Sequence, residues 1–94
     1  MKLFIFLALC FSCSSTNPMV LSEKAKDLEI YANKPLNCHV AGKVIGVDEN
    51  GSTELATNDA LNQAAKLNAT GIFVNQEVPN GKSRAVHATA YQCN

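Results

Sequence analysis

The sequence has no excess of charge of either sign, since its eight basic and eight acidic residues cancel. It also lacks a run of basic residues interleaved with aromatic residues, which is the pattern of nucleic-acid-binding segments. The predicted amphipathic helix carries a single lysine, Lys66, on its polar face, and this argues against a helix that lies on a membrane surface. The charge pattern therefore predicts neither nucleic-acid binding nor a membrane-surface helix.

Motifs that organise catalysis or cofactor binding are also missing. Gly42–Gly46 has neither the glycine count nor the following helix of a dinucleotide or phosphate loop. The turn Asp48–Gly51 lacks the alternating acidic ligands of a calcium loop. No glycine-rich elbow frames a serine, and the acidic residues fall in turns or on the polar helix face, where solvated charge is the ordinary state. We expect no enzymatic activity and no cofactor, and the sequence identifies no small-molecule substrate.

A metal site could be drawn from the two histidines and two of the cysteines, Cys38, His39, His87 and Cys93. Cys38 and His39 are adjacent in a predicted strand, so their side chains point to opposite faces. His87 and Cys93 share a face but stand about 20 Å apart at ~3.3 Å per residue. We therefore expect solvent-facing or cross-strand histidines and no bound metal.

The amino terminus has the pattern of a secretory signal peptide. Met1-Lys2 precede Leu3–Phe11, nine apolar residues without charge, whereas a membrane-spanning helix needs about 20. The polar break Ser12–Pro18 that follows argues against the alternative, a hydrophobic first strand of the domain.

Leu9–Cys13 resembles a bacterial lipoprotein box, in which a small residue precedes the cysteine that becomes acylated. Ser12 takes that place, although Cys10 stands where leucine is usual. The resemblance implies lipidation of Cys13, with ordinary signal cleavage nearby as the alternative. Ser14 is not the aspartate that commonly retains such proteins at an inner membrane, which implies an outer-membrane lipoprotein of a Gram-negative cell that faces the periplasm. The chain would then divide into a signal peptide (1–12), a lipidated tether (13–26) and a small α/β domain (27–94).

The two remaining cysteines, Cys38 and Cys93, predict one disulfide, because two cysteines in an oxidising compartment usually pair. The bond would close a loop of about 55 residues and contribute roughly 4 kcal/mol as an upper value in the chain-entropy model. For a core this small, that is a large share of the total stability. Two buried free thiols are the alternative.

Periodicity predicts one helix and four strands. The predicted strands are Asp27–Ala32, Asn37–Asp48, Gly71–Val78 and Ser83–Cys93. The helix lies between the second and third strands, with Ser52, Thr53 or the later Asn58 as its start. Asn68 is the expected left-handed residue at its end, and Pro79–Lys82 is a hairpin turn.

An alanine-rich stripe on the helix predicts close packing on a sheet; its members are Ala56, Ala60, Leu61, Ala64, Ala65 and Leu67. Gly42 and Gly46 are expected on one strand face together with Cys38, Val40 and Val44. Glycines in a strand mark a bulge or a second backbone close above that face, and the helix is the expected neighbour. Residues 20–26 are expected to be loosely held.

The predicted disulfide also indicates the strand order. Cys38 starts one strand and Cys93 ends another, so the two strands must run antiparallel side by side. A helical crossover joins the second and third strands in parallel. The last strand then lies between them. The fold class is therefore α/β (α+β): a split β-α-β with a C-terminal hairpin, one helix on a small mixed sheet and an extra N-terminal edge strand.

Three segments, Ala41–Gly46, Asn58–Val74 and Ala88–Cys93, resemble the core of short bacterial envelope lipoproteins, and their layout resembles the globular RcsF-type domain of an outer-membrane stress sensor. Glu29–Asn33 resembles the leading strand of that domain. The chain departs from the pattern in having one predicted disulfide where the family has two, and a much shorter linker, Ser14–Lys26. The fold therefore carries over better than the signalling role.

The resemblance implies a non-catalytic envelope lipoprotein that acts as a sensor or interaction module and binds an envelope protein partner. A structural or cell-wall-associated protein without a signalling role is the alternative, and a secreted soluble binding protein follows if Cys13 is not acylated. Tyr91 and Phe73 are candidates for a binding patch, although aromatic residues on strands more often belong to the core.

Overall fold

The computed structural model describes residues 20–93, so Cys13 and the predicted signal peptide lie outside the described residues. One α-helix packs against a four-stranded mixed sheet, which is the predicted α+β fold. A short 3₁₀ helix, Ala25–Asp27, precedes the sheet. The other elements, in chain order, are β1 (Glu29–Ile30), β2 (His39–Asp48), α1 (Thr53–Lys66), β3 (Gly71–Asn80) and β4 (Ser83–Gln92).

The strand order in the sheet is β1-β3-β4-β2. β4 lies in the middle and runs antiparallel to both β3 and β2, so β2 and β3 are parallel strands that α1 connects across the sheet. β1 adds to the edge of β3 in parallel, through the pairs Glu29–Gly71 and Ile30–Ile72. The predicted split β-α-β order, with its hairpin and its extra edge strand, is therefore confirmed.

Helix α1 begins and ends at the predicted signals. The Ser52 hydroxyl accepts a hydrogen bond from the Leu55 N–H at 3.2 Å, which makes Ser52 the N-cap and excludes the later start at Asn58. At the other end Asn68 has a φ of 60°, and the N–H of Ala69 donates to the Ala64 carbonyl at 3.2 Å. This is a Schellman ending in which asparagine takes the position usual for glycine.

Small residues let α1 lie close to β2. A Cβ on Gly46 would stand 2.0 Å from the Ala56 carbonyl oxygen and 2.5 Å from the Ala60 backbone nitrogen, so only glycine fits beneath the helix. Ala56, Ala60 and Ala64 have no exposed surface. Leu67, predicted on the same stripe, is 42% exposed because it is the C-cap residue, where the chain leaves the helix.

A β-bulge changes the predicted faces of β2. The register shifts between Val40 and Gly42, so Val40 pairs with Tyr91 while Gly42 pairs with Ala90. Neighbouring residues of β4 point to opposite faces, so Val40 lies on the sheet face away from α1, whereas Gly42, Val44 and Gly46 lie beneath the helix. The expectation that Val40 shares the glycine face is therefore wrong, because the bulge inserts one extra residue.

The segment before β1 is packed, contrary to the expectation that residues 20–26 are loosely held. Ala25 is buried in the core, and Leu21 and Leu28 pack against it. The Asn62 side chain of α1 holds the chain here: its Nδ2 donates to the Val20 carbonyl at 3.0 Å, and its Oδ1 accepts from the Ser22 N–H at 2.9 Å. These contacts cover the side of α1 that the sheet does not reach.

Within the described residues, no helix is long and apolar enough to cross a membrane.

Candidate interaction surface

The predicted disulfide joins Cys38, just before β2, to Cys93, just after β4. The two Cα atoms are 4.5 Å apart and separated by 55 residues in sequence. Because β2 and β4 are antiparallel neighbours, the bond closes the end of the sheet where these strands meet. It leaves neither thiol available as a nucleophile or metal ligand. Cys13, the predicted lipidation site, lies outside the described residues.

Side chains just after β1 and just before β3 pack beside the disulfide. The Tyr31 hydroxyl lies 3.3 Å from Cys93 Sγ and 3.0 Å from the Thr70 hydroxyl oxygen. The Tyr31 ring also meets Tyr91 edge to face, with centroids 6.4 Å apart. Tyr91 is buried, so it belongs to this packed end more than to a binding patch. The disulfide and these contacts hold this end of the molecule together.

Tyr31 packs against Tyr91 at one end of the sheet face away from α1. Among residues 20–93 no helix or strand covers the rest of this face, and we call it the open face. Its residues follow from the strand registers: Val40, Lys43, Ile45, Val47, Phe73, Asn75, Gln76, Val78, Ala85, His87, Thr89 and Tyr91. The opposite face holds the core beneath α1, with Ile72 and Val86 fully buried. The open face is therefore a regular surface of the described residues without a partner layer.

Apolar side chains on the open face are exposed to solvent. Val40, Ile45 and Val47, all on β2, are 62%, 49% and 41% exposed. Phe73 is half-buried on β3, so only part of the predicted aromatic patch is accessible. Exposed apolar residues that cluster on one regular surface are a feature of interaction sites.

A second β-bulge forms a groove in the middle of the open face. The register of β3 against β4 shifts between Val74 and Gln76, so Asn75 is the extra residue. The Asn75 Nδ2 donates to the Thr89 hydroxyl at 2.9 Å, which holds the bulge in place. The groove has a volume of about 240 Å³, and its polar lining consists of Lys43, Asn75, Gln76 and His87.

The open face carries positive and neutral groups but no acidic group on β2, β3 or β4. Lys43 pairs with Thr89 and Ile45 pairs with His87, so Lys43 and His87 are diagonal neighbours across two strands. Glu77 and Asp48 belong to the helix side of the sheet: Glu77 accepts from Arg84 at 3.4 Å, and Asp48 accepts from the Ser52 N–H at 2.8 Å. Among residues 20–93, no group of three or more side chains is arranged to hold a metal ion.

The chain enters the domain on the opposite side of the molecule. Asn62, which binds residues 20 and 22, follows the buried Ala60 by two helical positions, or about 200° around the helix. It therefore points away from the sheet. A shallow groove of about 400 Å³ lies beside it, lined by Ser22, Lys24, Asn62, Ala65 and Lys66.

The sequence did not assign Lys43, Asn75 and Gln76 to any site, and for His87 it predicted a solvent-facing or cross-strand position in place of a metal ligand. The alternation of β2 and β4 indicates that these strands have two faces. It does not indicate that one face stays uncovered, because that depends on where the helix packs. The bulge at Asn75 has no signal in the sequence.

Comparison with protein-family models, with curated proteins and with solved structures gave no match for this chain.

Proposed function

We propose that this chain is a non-catalytic envelope lipoprotein, anchored through an acylated Cys13 and acting as a sensor or interaction module that faces the periplasm. The observation that carries the proposal is the Cys38–Cys93 disulfide. Disulfides of this structural kind form and persist in oxidising compartments and are rare in the cytosol. A domain whose end is closed in this way is suited to the cell envelope.

The anchor is supported by the sequence before the domain. Leu3–Phe11 has the length and composition of a signal-peptide core, and Ser12-Cys13 has the pattern of a lipoprotein cleavage site. A diacylglyceryl thioether together with an N-linked acyl chain exceeds the two lipid signals that stable attachment requires. Because Ser14 is not aspartate, the expected location is the outer membrane.

The path of the chain indicates how an anchored domain would be oriented. Seven residue steps separate Cys13 from Val20, a reach of about 25 Å for an extended chain. The chain enters on the outer side of α1, where Asn62 holds it and where Lys24 and Lys66 line the nearby groove. The helix layer would then lie nearer the membrane, and the open face would point into the periplasm.

An interaction role agrees with the chemistry of the described residues. The thiols of Cys38 and Cys93 are bonded to each other, and the acidic side chains that the sequence offers do not converge in a cavity. What the domain does present is a sheet face with exposed apolar side chains. The resemblance to the RcsF-type stress sensor makes signalling the specific form of this proposal.

The mass of the purified mature protein tests the anchor and the disulfide together. We expect a chain that starts at Cys13 and carries the added lipid mass, with no alkylation before reduction and two alkylated cysteines afterwards. A Cys13→Ala variant is the control and should lack the lipid mass. An unacylated wild-type chain would overturn the anchoring and favour a secreted soluble binding protein.

Deletion and complementation test the sensor role. Deleting the gene should abolish an envelope-stress response, and the wild-type protein should restore it while the unanchored Cys13→Ala variant should not. An unchanged response together with altered envelope permeability would contradict the sensor role and support a structural protein without signalling.

A further inference from the structure

Building on the proposed interaction role, we infer that the open face binds an acidic segment of a partner protein, whose carboxylate lies between Lys43 and His87 and whose apolar residues cover Ile45 and Val47. The surface lies on the side of the molecule opposite the chain entry. It is formed wholly by residues 40–91, so it does not depend on how the amino terminus is processed.

Charge determines the chemistry of the partner. On β2, β3 and β4 the open face presents the Lys43 ammonium and the His87 imidazole without a carboxylate beside them. Lys43 is exposed and makes no hydrogen bond or ion pair through its side chain within residues 20–93. The amide groups of Asn75 and Gln76 line the same groove. One Asn75 N–H is used by the Thr89 hydroxyl, which leaves the second Asn75 N–H and the Gln76 amide to donate to an acceptor. This arrangement is complementary to a carboxylate.

The apolar residues determine what stands next to that carboxylate. Val47 and Ala85 pair at one end of the face, Ile45 and His87 pair in the middle, and Lys43 pairs with Thr89 beyond them. Successive pairs on one face stand two residues apart, or about 6.7 Å. An extended partner segment repeats its side chains at the same spacing, so an apolar residue two positions from an acidic one matches the surface.

A second copy of this chain does not fit as the partner in a symmetric dimer. A two-fold contact through the open face would bring the same surface of both copies together. Lys43 and His87 would then meet groups of their own kind, with no carboxylate from β2, β3 or β4 to pair with them. The charge pattern therefore favours a different protein.

A membrane surface fits less well than a protein segment. Recognition of anionic lipid by charge uses clusters of about 4–8 lysine or arginine residues. On β2, β3 and β4 the open face has one lysine, Lys43, and one histidine, His87. The domain would also face the membrane with its helix side, because Asn62 holds the entering chain there.

Photo-crosslinking in cells of the native host tests the inference on the full chain. A photoreactive amino acid replaces Val47 on the open face or, as the control position, Glu54 on the exposed surface of α1. We expect the Val47 probe to crosslink one protein through a segment that contains Asp or Glu, and the Glu54 probe not to do so.

Charge reversal then links that crosslink to Lys43. We expect Lys43→Glu to lower the crosslink yield about tenfold, which corresponds to about 1.4 kcal/mol. Lys66→Glu, which makes the same change on the helix side, should leave the yield unchanged. Changing the partner's acidic residue to lysine should restore the yield in the Lys43→Glu background. Thermal unfolding shows whether both variants are folded, and Lys43→Gln should give an intermediate yield.

Several outcomes would overturn the inference. The inference is overturned if the Val47 and Glu54 probes crosslink equally, or if Lys43→Glu does not change the yield. It is also overturned if crosslinks form only to copies of this chain, or if no crosslink forms. The mass of the mature chain, measured on the same cells, reports on acylation of Cys13 independently of the open face. It therefore separates a failure of the proposed anchoring from a failure of the proposed binding.

Discussion

The Asp59 carboxylate of α1 accepts a hydrogen bond from the backbone N–H of Val47 on β2, with a distance of 2.8 Å from Val47 N to Asp59 Oδ2. One turn later, Gln63 binds Ile45 twice: its Nε2 donates to the Ile45 carbonyl at 2.7 Å, and its Oε1 accepts from the Ile45 N–H at 3.4 Å. β2 is an edge strand, so the helix satisfies backbone groups that would otherwise be free to pair with another chain.

Removing this cover should expose the edge of β2. We expect the Asp59→Ala/Gln63→Ala variant to unfold with a free energy lower by about 1 kcal/mol for each lost contact and to self-associate at high concentration. Chemical denaturation and sedimentation velocity measure the two effects. Glu54→Ala, which removes an exposed carboxylate from the same helix, is the control. A double variant as monomeric and as stable as this control would contradict the edge-covering role.

The disulfide should supply much of the stability. Replacing Cys38 and Cys93 with serine should lower the free energy of unfolding by about 2–4 kcal/mol. Without the bond, the unfolded chain regains the conformational entropy that closing a loop of 55 residues removes. Denaturant unfolding with and without reductant measures the loss. Cys13→Ser is the matched control and should unfold like the wild-type domain. An equal response of the two variants to reductant would argue against this account.

Gly46 should tolerate no larger side chain. In Gly46→Ala the new Cβ would meet the Ala56 carbonyl at 2.0 Å, so α1 must move away from β2, and we expect a loss of at least about 2 kcal/mol. Gly81→Ala is the comparison: its φ of +64° strains alanine, but no atom lies within 4 Å, so it should lose only about 1 kcal/mol. Thermal unfolding of both variants measures the difference. Equal losses would mean that the close helix approach does not limit residue 46.

Asn62 should hold the amino-terminal segment onto the helix. Asn62→Ala removes both hydrogen bonds to residues 20 and 22, so we expect faster amide hydrogen exchange over residues 20–28 while exchange in β3 and β4 stays slow. Lys66→Ala, one helical turn away on the outer surface, is the control. Unchanged exchange over residues 20–28 in the Asn62 variant would show that apolar packing of Ala25 alone holds the segment.

Much of the fold could be predicted because its signals are local. Ser52 caps the helix and Asn68 ends it, and both act within a few residues of the chain. The alanine stripe identified which side of α1 is buried. One cysteine lies at the start of β2 and the other at the end of β4, and their predicted bond limited the strand order. These features follow from backbone hydrogen bonding, side-chain size and the period of each element.

The features that define the candidate site could not be predicted in this way. The bulges at Ala41 and Asn75 shift the register by one residue, and each depends on how its strand fits against β4. The first moves Val40 to the open face, and the second forms the groove beside His87. The hydrogen bond of Asp59 likewise joins residues that are 12 positions apart in the sequence, and those of Asn62 join residues 40 and 42 positions apart.

The sequence by itself therefore determined the elements, the buried side of the helix and the disulfide that orders the strands, because each depends on periodicity, local capping or pairing chemistry. Only the tertiary structure decided which sheet face stays open, where its groove lies and which helix side chains cover the edge of β2. Those outcomes arise from packing between distant segments, where one inserted residue in a strand reverses the direction of every side chain beyond it.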